Sequence, residues 1–181
     1  MRRVRGLTLV ELMITIAVLA VLATLAVPAF NDHLARRGVE GSAQVLRADL
    51  DLARSEAVQR REAVTVSFGP NCYVLHLASA TATCTAASAT VLPADALIRS
   101  VLPDSDRVVL AAQGGLTDIR FDATMGTADF AGPALAPASG AVDVTAIGRA
   151  LSLRVTTQRN GRTTLCVPDG SGIGGHPPCA P

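Results

Sequence analysis

A long apolar run opens the chain. From Leu7 to Phe30 the side chains are apolar apart from threonines and one carboxylate, Glu11. A helix over these residues would extend about 36 Å, which is enough to cross the hydrocarbon core of a bilayer. The run therefore predicts a membrane-spanning helix over residues 7–30.

Beyond Phe30 the pattern stays helical as far as Glu62. Apolar side chains recur at alternating spacings of four and three residues, at Val39, Ala43, Leu46, Leu50, Ala53 and Ala57. This period predicts an amphipathic continuation of the helix over residues 31–62. Its C-terminal half is expected to pack under the rest of the chain, and its N-terminal half to be covered by neighbouring subunits. Pro28 is expected to bend the helix, since its ring removes a backbone hydrogen bond.

Residues 63–181 change to a β pattern. Val64, Val66 and Phe68 alternate with polar residues, and Gly69-Pro70-Asn71 turns the chain into a second run at 73–77, which is a hairpin signal. Further β-prone runs lie at 96–101, 107–111, 117–121, 127–130, 141–146, 150–157 and 163–167. This spacing predicts an antiparallel sheet or small sandwich packed on the helix, an α+β fold. The Gly/Pro-rich tail from 168 would be loose without its cysteine.

The last predicted hairpin contains a conflict between its turn and its strands. Asn160-Gly161 favours a two-residue type I′ turn. That turn would place Leu165 on the face opposite Val155, although both are apolar. Either the hairpin carries a bulge or a longer loop, or this sheet is covered on both sides. We expect a bulge.

The arginines before the apolar run, Arg2, Arg3 and Arg5, predict a cytoplasmic N-terminus with the rest of the chain outside. One interpretation of the run is an ordinary secretory signal, cleaved after small residues near Ala23. The other is cleavage after Gly6, with the run kept as an anchor. Glu11 favours the second, because a carboxylate in a spanning segment costs about 2.5–3.5 kcal/mol and needs a partner. Cleavage after Gly6 would supply one, the new amine of Leu7.

The segment GLTLVELM at 6–13 resembles the type III signal of type IV pilins and type II secretion pseudopilins. The resemblance implies that a prepilin peptidase removes the leader 1–6 by cutting after Gly6 and methylates Leu7, where the family usually has Phe. It also implies that Glu11 and Pro28 serve assembly with other pilins through the N-terminal helix.

Two later segments, ARSEAV at 53–58 and NGRTTLC at 160–166, resemble the FimT/GspH group of minor pilins and pseudopilins. This implies a single-pass inner-membrane protein with a periplasmic β domain at 63–181. As a minor pilin it would assemble into or prime a type IV pilus, which serves adhesion, motility or DNA uptake. The alternative, an H-type pseudopilin of type II secretion, stays open.

Four cysteines follow the export segment, at Cys72, Cys84, Cys166 and Cys179. An even number in an exported chain predicts disulfides. Three pairings are open, and the local pairs Cys72–Cys84 and Cys166–Cys179 are favoured because each closes a short loop. The absence of a C-x-x-C motif and the scattered histidines argue against a zinc site.

Nothing in the sequence forms a catalytic motif, so neither an enzyme nor a cofactor is predicted. His76 lies in a predicted strand and is interpreted as a packed or surface residue rather than an acid–base group. The Gly-rich segment 170–175 lacks the lysine of a phosphate-binding loop and is interpreted as a flexible tail.

Charge is unevenly distributed although the formal net charge is only +1. Residues 148–166 hold four arginines and no carboxylate, at Arg149, Arg154, Arg159 and Arg162. Such a strip can contact the phosphates of double-stranded DNA. In FimT proteins a Gly-Arg-x-Arg motif here is linked to DNA binding during uptake; Gly161 and Arg162 match its first half, and Thr164 replaces its second arginine. The alternative is a solvated strip or a contact to a neighbouring pilin.

Overall fold

The computed structural model describes residues 8–85, 88–103, 107–132 and 139–179, except the side chains of 25–29. One helix, α1 (Leu9–Arg60), occupies the first part of the chain. The chain divides into two compact units, the first ending at Ala35 and the second beginning at Arg36. The predicted cleavage site at Gly6 and Leu7 and the side chain of Pro28 lie outside the described residues.

The first unit is the N-terminal part of α1. Its large apolar side chains from Leu9 to Leu22 are exposed. The Thr15 hydroxyl donates to the carbonyl of Leu12 at 2.8 Å, so this polar side chain is satisfied within the helix. No helix in the part of the chain that the structure describes is long and apolar enough to cross a membrane.

The second unit buries the whole apolar stripe of α1. Val39, Ala43, Leu46, Ala53 and Ala57 are fully buried and Leu50 nearly so. The expectation that neighbouring subunits would cover the N-terminal half of the stripe is therefore wrong for Val39 and Ala43. Residues of the same chain cover both; Val108, for example, lies against the helix at Gly38.

Eleven strands follow α1 within the described residues. They are β1 (Val64–Gly69), β2 (Cys72–Leu77), β3 (Thr81–Thr85), β4 (Ser88–Leu92), β5 (Leu97–Val101), β6 (Val108–Ala112), β7 (Asp118–Phe121), β8 (Ala128–Ala131), β9 (Ser139–Ala146), β10 (Ser152–Gln158) and β11 (Thr163–Cys166). Short 3-10 turns lie at Ala94–Ala96 and Gln113–Gly115.

The strands form two sheets and a ribbon, all with antiparallel pairing. The first sheet has the order β5-β2-β1-β7-β8, the second β11-β10-β9-β6, and β3 pairs with β4 alone. Alternate residues of β9 and β10, among them Val142, Val144, Leu153 and Val155, are buried, as expected for a sheet with one covered face. The predicted α+β class, a long helix with antiparallel sheets, is confirmed.

The β3–β4 ribbon was not predicted. It covers the outer face of β2, where Val74, Ala80, Val91 and Ala96 form a small separate core. A disulfide between Cys72 and Cys84 ties the ribbon to β2. Because Cys84 is the second-last residue of β3, the disulfide holds the ribbon near its turn.

Residues 159–162 connect β10 to β11. Three of them, 159–161, lie inside the last hydrogen-bonded pair, so the connection is not a two-residue turn. Val155 pairs with Leu165, and the Gln158 amide donates to the carbonyl of Arg162 at 3.0 Å. Gly161 has φ +75°, the left-handed position that glycine adopts without strain and that ends such loops. The longer loop is one of the alternatives that the sequence left open, and with it Val155 and Leu165 lie opposite each other.

The tail after β11 is held against the domain, contrary to its interpretation as a flexible segment. The Ser171 hydroxyl donates to the carbonyl of Ser152 at 2.7 Å and accepts from the amide of Ser152 at 3.0 Å. Ile173 is buried. A second disulfide, Cys166–Cys179, closes this tail.

Candidate functional site

Glu11 lies in the first turn of α1. The hydroxyl oxygen of Thr8, the residue before the helix, accepts a hydrogen bond from the Glu11 amide at 3.3 Å. Thr-x-x-Glu at a helix start is the pattern of a capping box. Capping therefore gives Glu11 a second explanation, which the sequence reasoning overlooked.

The four predicted arginines do not form one patch. Arg154 makes a bidentate contact with Asp143 on the neighbouring strand β9, with Nε donating to Oδ1 at 2.6 Å and Nη2 donating to Oδ2 at 2.9 Å. These hydrogen bonds raise the pKa of the Arg154 guanidinium. Because its charge is matched within the sheet, Arg154 has little left to offer an external phosphate.

The other three arginines lie at opposite ends of β10. Arg149 lies in the turn before β10, whereas Arg159 and Arg162 lie in the loop after it. The strand's 7 residues rise about 23 Å. The structure therefore brings Arg159 and Arg162 together and separates Arg149 from them.

The loop that carries Arg159 and Arg162 is docked on its neighbours. The Ala128 amide donates to the carbonyl of Arg159 at 2.8 Å, and the Asn160 side-chain oxygen accepts from the Arg162 amide at 2.9 Å. The side chains of both arginines are exposed. The loop thus presents two cations from a backbone that is fixed at both ends.

A serine, a histidine and an aspartate meet on the outer face of the first sheet. The Ser67 hydroxyl donates to Asp118 Oδ1 at 2.5 Å and lies 2.9 Å from His76 Nε2, while His76 Nδ1 lies 2.8 Å from the carbonyl oxygen of Leu77. In a hydrolytic triad the aspartate orients the histidine; here it contacts the serine. His76 is 3% exposed, which is the packed alternative of the prediction, and the three side chains cross-link β1, β2 and β7.

A buried polar contact joins α1 to the first sheet. The Tyr73 hydroxyl donates to Asp49 Oδ2 at 2.7 Å, and Arg99 Nη1 lies 3.1 Å from Asp49 Oδ1. Burial, and then the hydrogen bond to Asp49, raise the pKa of Tyr73 well above its usual range. Asp49 is 2% exposed, so these contacts compensate a charge that would otherwise be costly to bury.

No three His, Cys, Asp or Glu side chains within 8–85, 88–103, 107–132 and 139–179 are placed to share a metal ion. The polar side chains just described, namely those of Ser67, His76, Asp118, Asp49, Tyr73 and Arg99, bind one another between elements of the fold. Their arrangement suits a rigid structural domain.

Comparison with known protein families shows which family this chain matches. Residues 42–171 match the family described as Type II transport protein GspH, which is well over half of the chain. The chain belongs to the GspH family. The pilin-like FimT/GspH group predicted from the sequence is thereby confirmed, and proteins of the pilin family are structural proteins.

Residues 1–27 of this GspH-family protein match the prokaryotic N-terminal methylation motif. The chain is also 51% identical over 35 residues to the type IV major fimbrial protein FimA of Dichelobacter nodosus. That match covers 19% of this chain and 22% of the fimbrial protein, so the chain spans about a fifth of that relative's length.

The fold of this GspH-family protein is similar to that of a solved minor pilin. The crystal structure of type IV minor pilin FimU from Pseudomonas aeruginosa strain PAO1 superposes with a TM-score of 0.51, covering 72% of this chain and 89% of FimU. The identity is 18%, so the likeness concerns the fold alone.

Proposed function

We propose that the protein is a minor pilin-like subunit that assembles into, or primes, a type IV pilus. The observation that carries the proposal is the combination of a methylation motif at 1–27 with a GspH domain at 42–171. The buried polar contacts of that domain, which join elements of the fold to one another, support a structural role. A pilus of this kind would serve adhesion, motility or DNA uptake.

The proposed path to the filament begins in the inner membrane. Prepilin peptidase removes residues 1–6 by cutting after Gly6 and methylates Leu7. Residues 7–30 anchor the chain and bind other pilins, residues 31–62 continue the helix, and residues 63–181 form the β domain in the periplasm. This orientation is supported by the arginines at the N-terminus, which favour the cytoplasmic side.

Membership of the GspH family also favours a second candidate of the same structural kind, an H-type pseudopilin of the type II secretion system. A clean deletion strain separates the two when DNA uptake and total secreted protein are measured in the same cultures. Lost uptake with normal secretion is expected for the pilus. Lost secretion with normal uptake would replace the proposal by the pseudopilin, and a plasmid-borne copy should restore whichever activity is lost.

A third candidate, a DNA-binding receptor of the uptake pilus, is favoured by the docked loop at 159–162. Arg159 and Arg162 are exposed there, and no carboxylate in the described part of the chain pairs with either. Arg154 is paired with Asp143, and Arg149 lies at the other end of β10. Of the four predicted arginines, only the two in this loop are therefore left as a candidate DNA contact.

For this receptor we expect the combined substitution Arg159→Ala and Arg162→Ala to weaken duplex DNA binding by the full-length protein roughly tenfold or more, because two phosphate contacts are lost. Fluorescence polarisation of a labelled duplex measures the affinity. Arg149→Ala is the control and should bind as the unaltered protein does. Unchanged binding by the double variant would remove the loop from the DNA contact.

A further inference from the structure

Arg54 on α1 reaches the end of the domain where the β10–β11 loop lies. The Cβ position of Gly126 is 3.0 Å from Arg54 Nε, and that of Gly161 is 2.9 Å from the same atom. Both glycines have positive φ, 63° and 75°. Side chains at these positions would collide with the arginine, so the glycines leave its side chain room between the 122–127 and 159–161 loops.

The two loops also touch each other. A Cβ at Gly161 would meet the carbonyl oxygen of Gly126, and the Ala128 amide is bonded to the carbonyl of Arg159. Helix, β7–β8 loop and β10–β11 loop therefore converge on one place. We name the three basic residues at this place, Arg54, Arg159 and Arg162, the arginine cluster.

No member of the arginine cluster is paired with a carboxylate in the described part of the chain. Its members take part in none of the ion pairs found there, and the nearby helix carboxylate Glu56 is bound to Arg60 at 2.6 Å. Asp122 bonds within its own loop, where hydrogen bonds from Thr124 lower its pKa to about 2. Three like charges held together in this way favour binding of an external anion.

We propose that the three residues of the arginine cluster together form one binding site for the phosphate backbone of duplex DNA. This proposal rests on the DNA-receptor function above. It replaces Arg149 and Arg154 of the predicted strip with Arg54, a helix residue about a hundred positions away in sequence. The three guanidinium groups, one on α1 and two on the β10–β11 connection, can each contact a different phosphate. Because the loops are anchored by backbone hydrogen bonds, little ordering is required on binding.

Met125 supplies a second kind of contact at the same site. Its side chain is 77% exposed, yet its loop is fixed, because Asp122 Oδ1 accepts from the Met125 amide at 3.1 Å and the Thr124 amide at 2.8 Å. An exposed apolar side chain on a rigid loop beside arginines suits insertion into the minor groove, where methionine is among the side chains that act as wedges.

The test measures binding of full-length protein in a nonionic detergent to a fluorescein-labelled duplex of mixed sequence at several salt concentrations. Arg54→Met keeps the aliphatic stem and removes the charge. We expect it to weaken binding about five- to tenfold and to reduce the slope of log affinity against log salt by about 0.9, the value for one phosphate contact. Arg54→Lys should keep the slope, and Met125→Ala should lose about threefold in affinity at an unchanged slope.

Arg37→Met is the matched control, an exposed arginine on the same helix about 25 Å away along its axis, and it should leave both quantities unchanged. If the unaltered protein does not bind the duplex, the proposed receptor function and the proposed site are both refuted. If Arg159→Ala with Arg162→Ala weakens binding but Arg54→Met does not, the receptor function stands and the site is overturned. The site is also overturned if Arg54→Met weakens binding to anionic phospholipid vesicles but leaves binding to the duplex unchanged.

Discussion

Replacing Glu11 with alanine is expected to leave membrane insertion intact and to lower incorporation into filaments about tenfold or more. Removal of the carboxylate makes insertion easier, by about 2.5–3.5 kcal/mol on insertion scales. In the assembled filament the same change would leave the Leu7 amine of a neighbouring subunit without its partner. Breaking a buried ion pair from one side typically costs about 3–5 kcal/mol, more than the roughly 1.4 kcal/mol that a tenfold change requires. Immunoblots of sheared filaments and of membranes measure the two quantities.

A second substitution at the same position separates ion pairing from helix capping. Glu11→Gln keeps the capping-box pattern with Thr8, since glutamine also serves there, but it removes the charge. We expect glutamine to behave as alanine does. Asp51→Ala removes an exposed carboxylate of α1 that lies 4.0 Å from Arg47 Nε, and this variant should assemble normally. Normal incorporation of Glu11→Ala would refute the pairing, and normal incorporation of Glu11→Gln alone would assign Glu11 to the cap.

Much of the fold was predictable because its elements carry strong local patterns. The stripe from Val39 to Ala57 has helical spacing, and all its members are buried. The alternation around Val155 predicted β10, and the conflict with Leu165 indicated that a simple two-residue turn was doubtful. In each case one face of the element is buried, so apolar residues recur along the sequence with the period of that element.

The β3–β4 ribbon escaped prediction because its covered face is made of small side chains. Ala82, Cys84 and Ala89 pack there with Val91, and the opposite face carries threonines. Alanine and threonine differ too little in hydrophobicity to give a clear period of two. The tail was misjudged for another reason, because Ser171 is held by hydrogen bonds to Ser152, a residue on β10 far away in sequence.

The site was the least predictable part. The separation of Arg149 from Arg159 could have been inferred, since the two flank a strand that was itself predicted. The neutralisation of Arg154 by Asp143 required the register of β9 against β10, which no local pattern supplies. The approach of Arg54 to Gly126 and Gly161 depends on how a helix lies on two loops, and the sequence carries no local signal for it.

Removing the tail disulfide, by Cys166→Ser with Cys179→Ser, is expected to lower the free energy of unfolding by about 3 kcal/mol. The bridge spans 13 positions, and a closed loop of this length typically contributes about that amount through the unfolded chain. The tail should also detach from the domain. Without the disulfide, only the Ser171 hydrogen bonds to Ser152 and the burial of Ile173 offset the conformational entropy lost when the tail is ordered. Urea denaturation measures the first effect.

Thermolysin measures the second, since Ile173 is buried in the folded tail and becomes a cleavage site when the tail detaches. The matched control is Cys72→Ser with Cys84→Ser, which opens a loop of nearly the same length, 12 positions, at the β3–β4 ribbon. It should lose similar stability while Ile173 stays protected. Equal protection of Ile173 in both double variants would show that the hydrogen bonds and burial of the tail hold it without the disulfide.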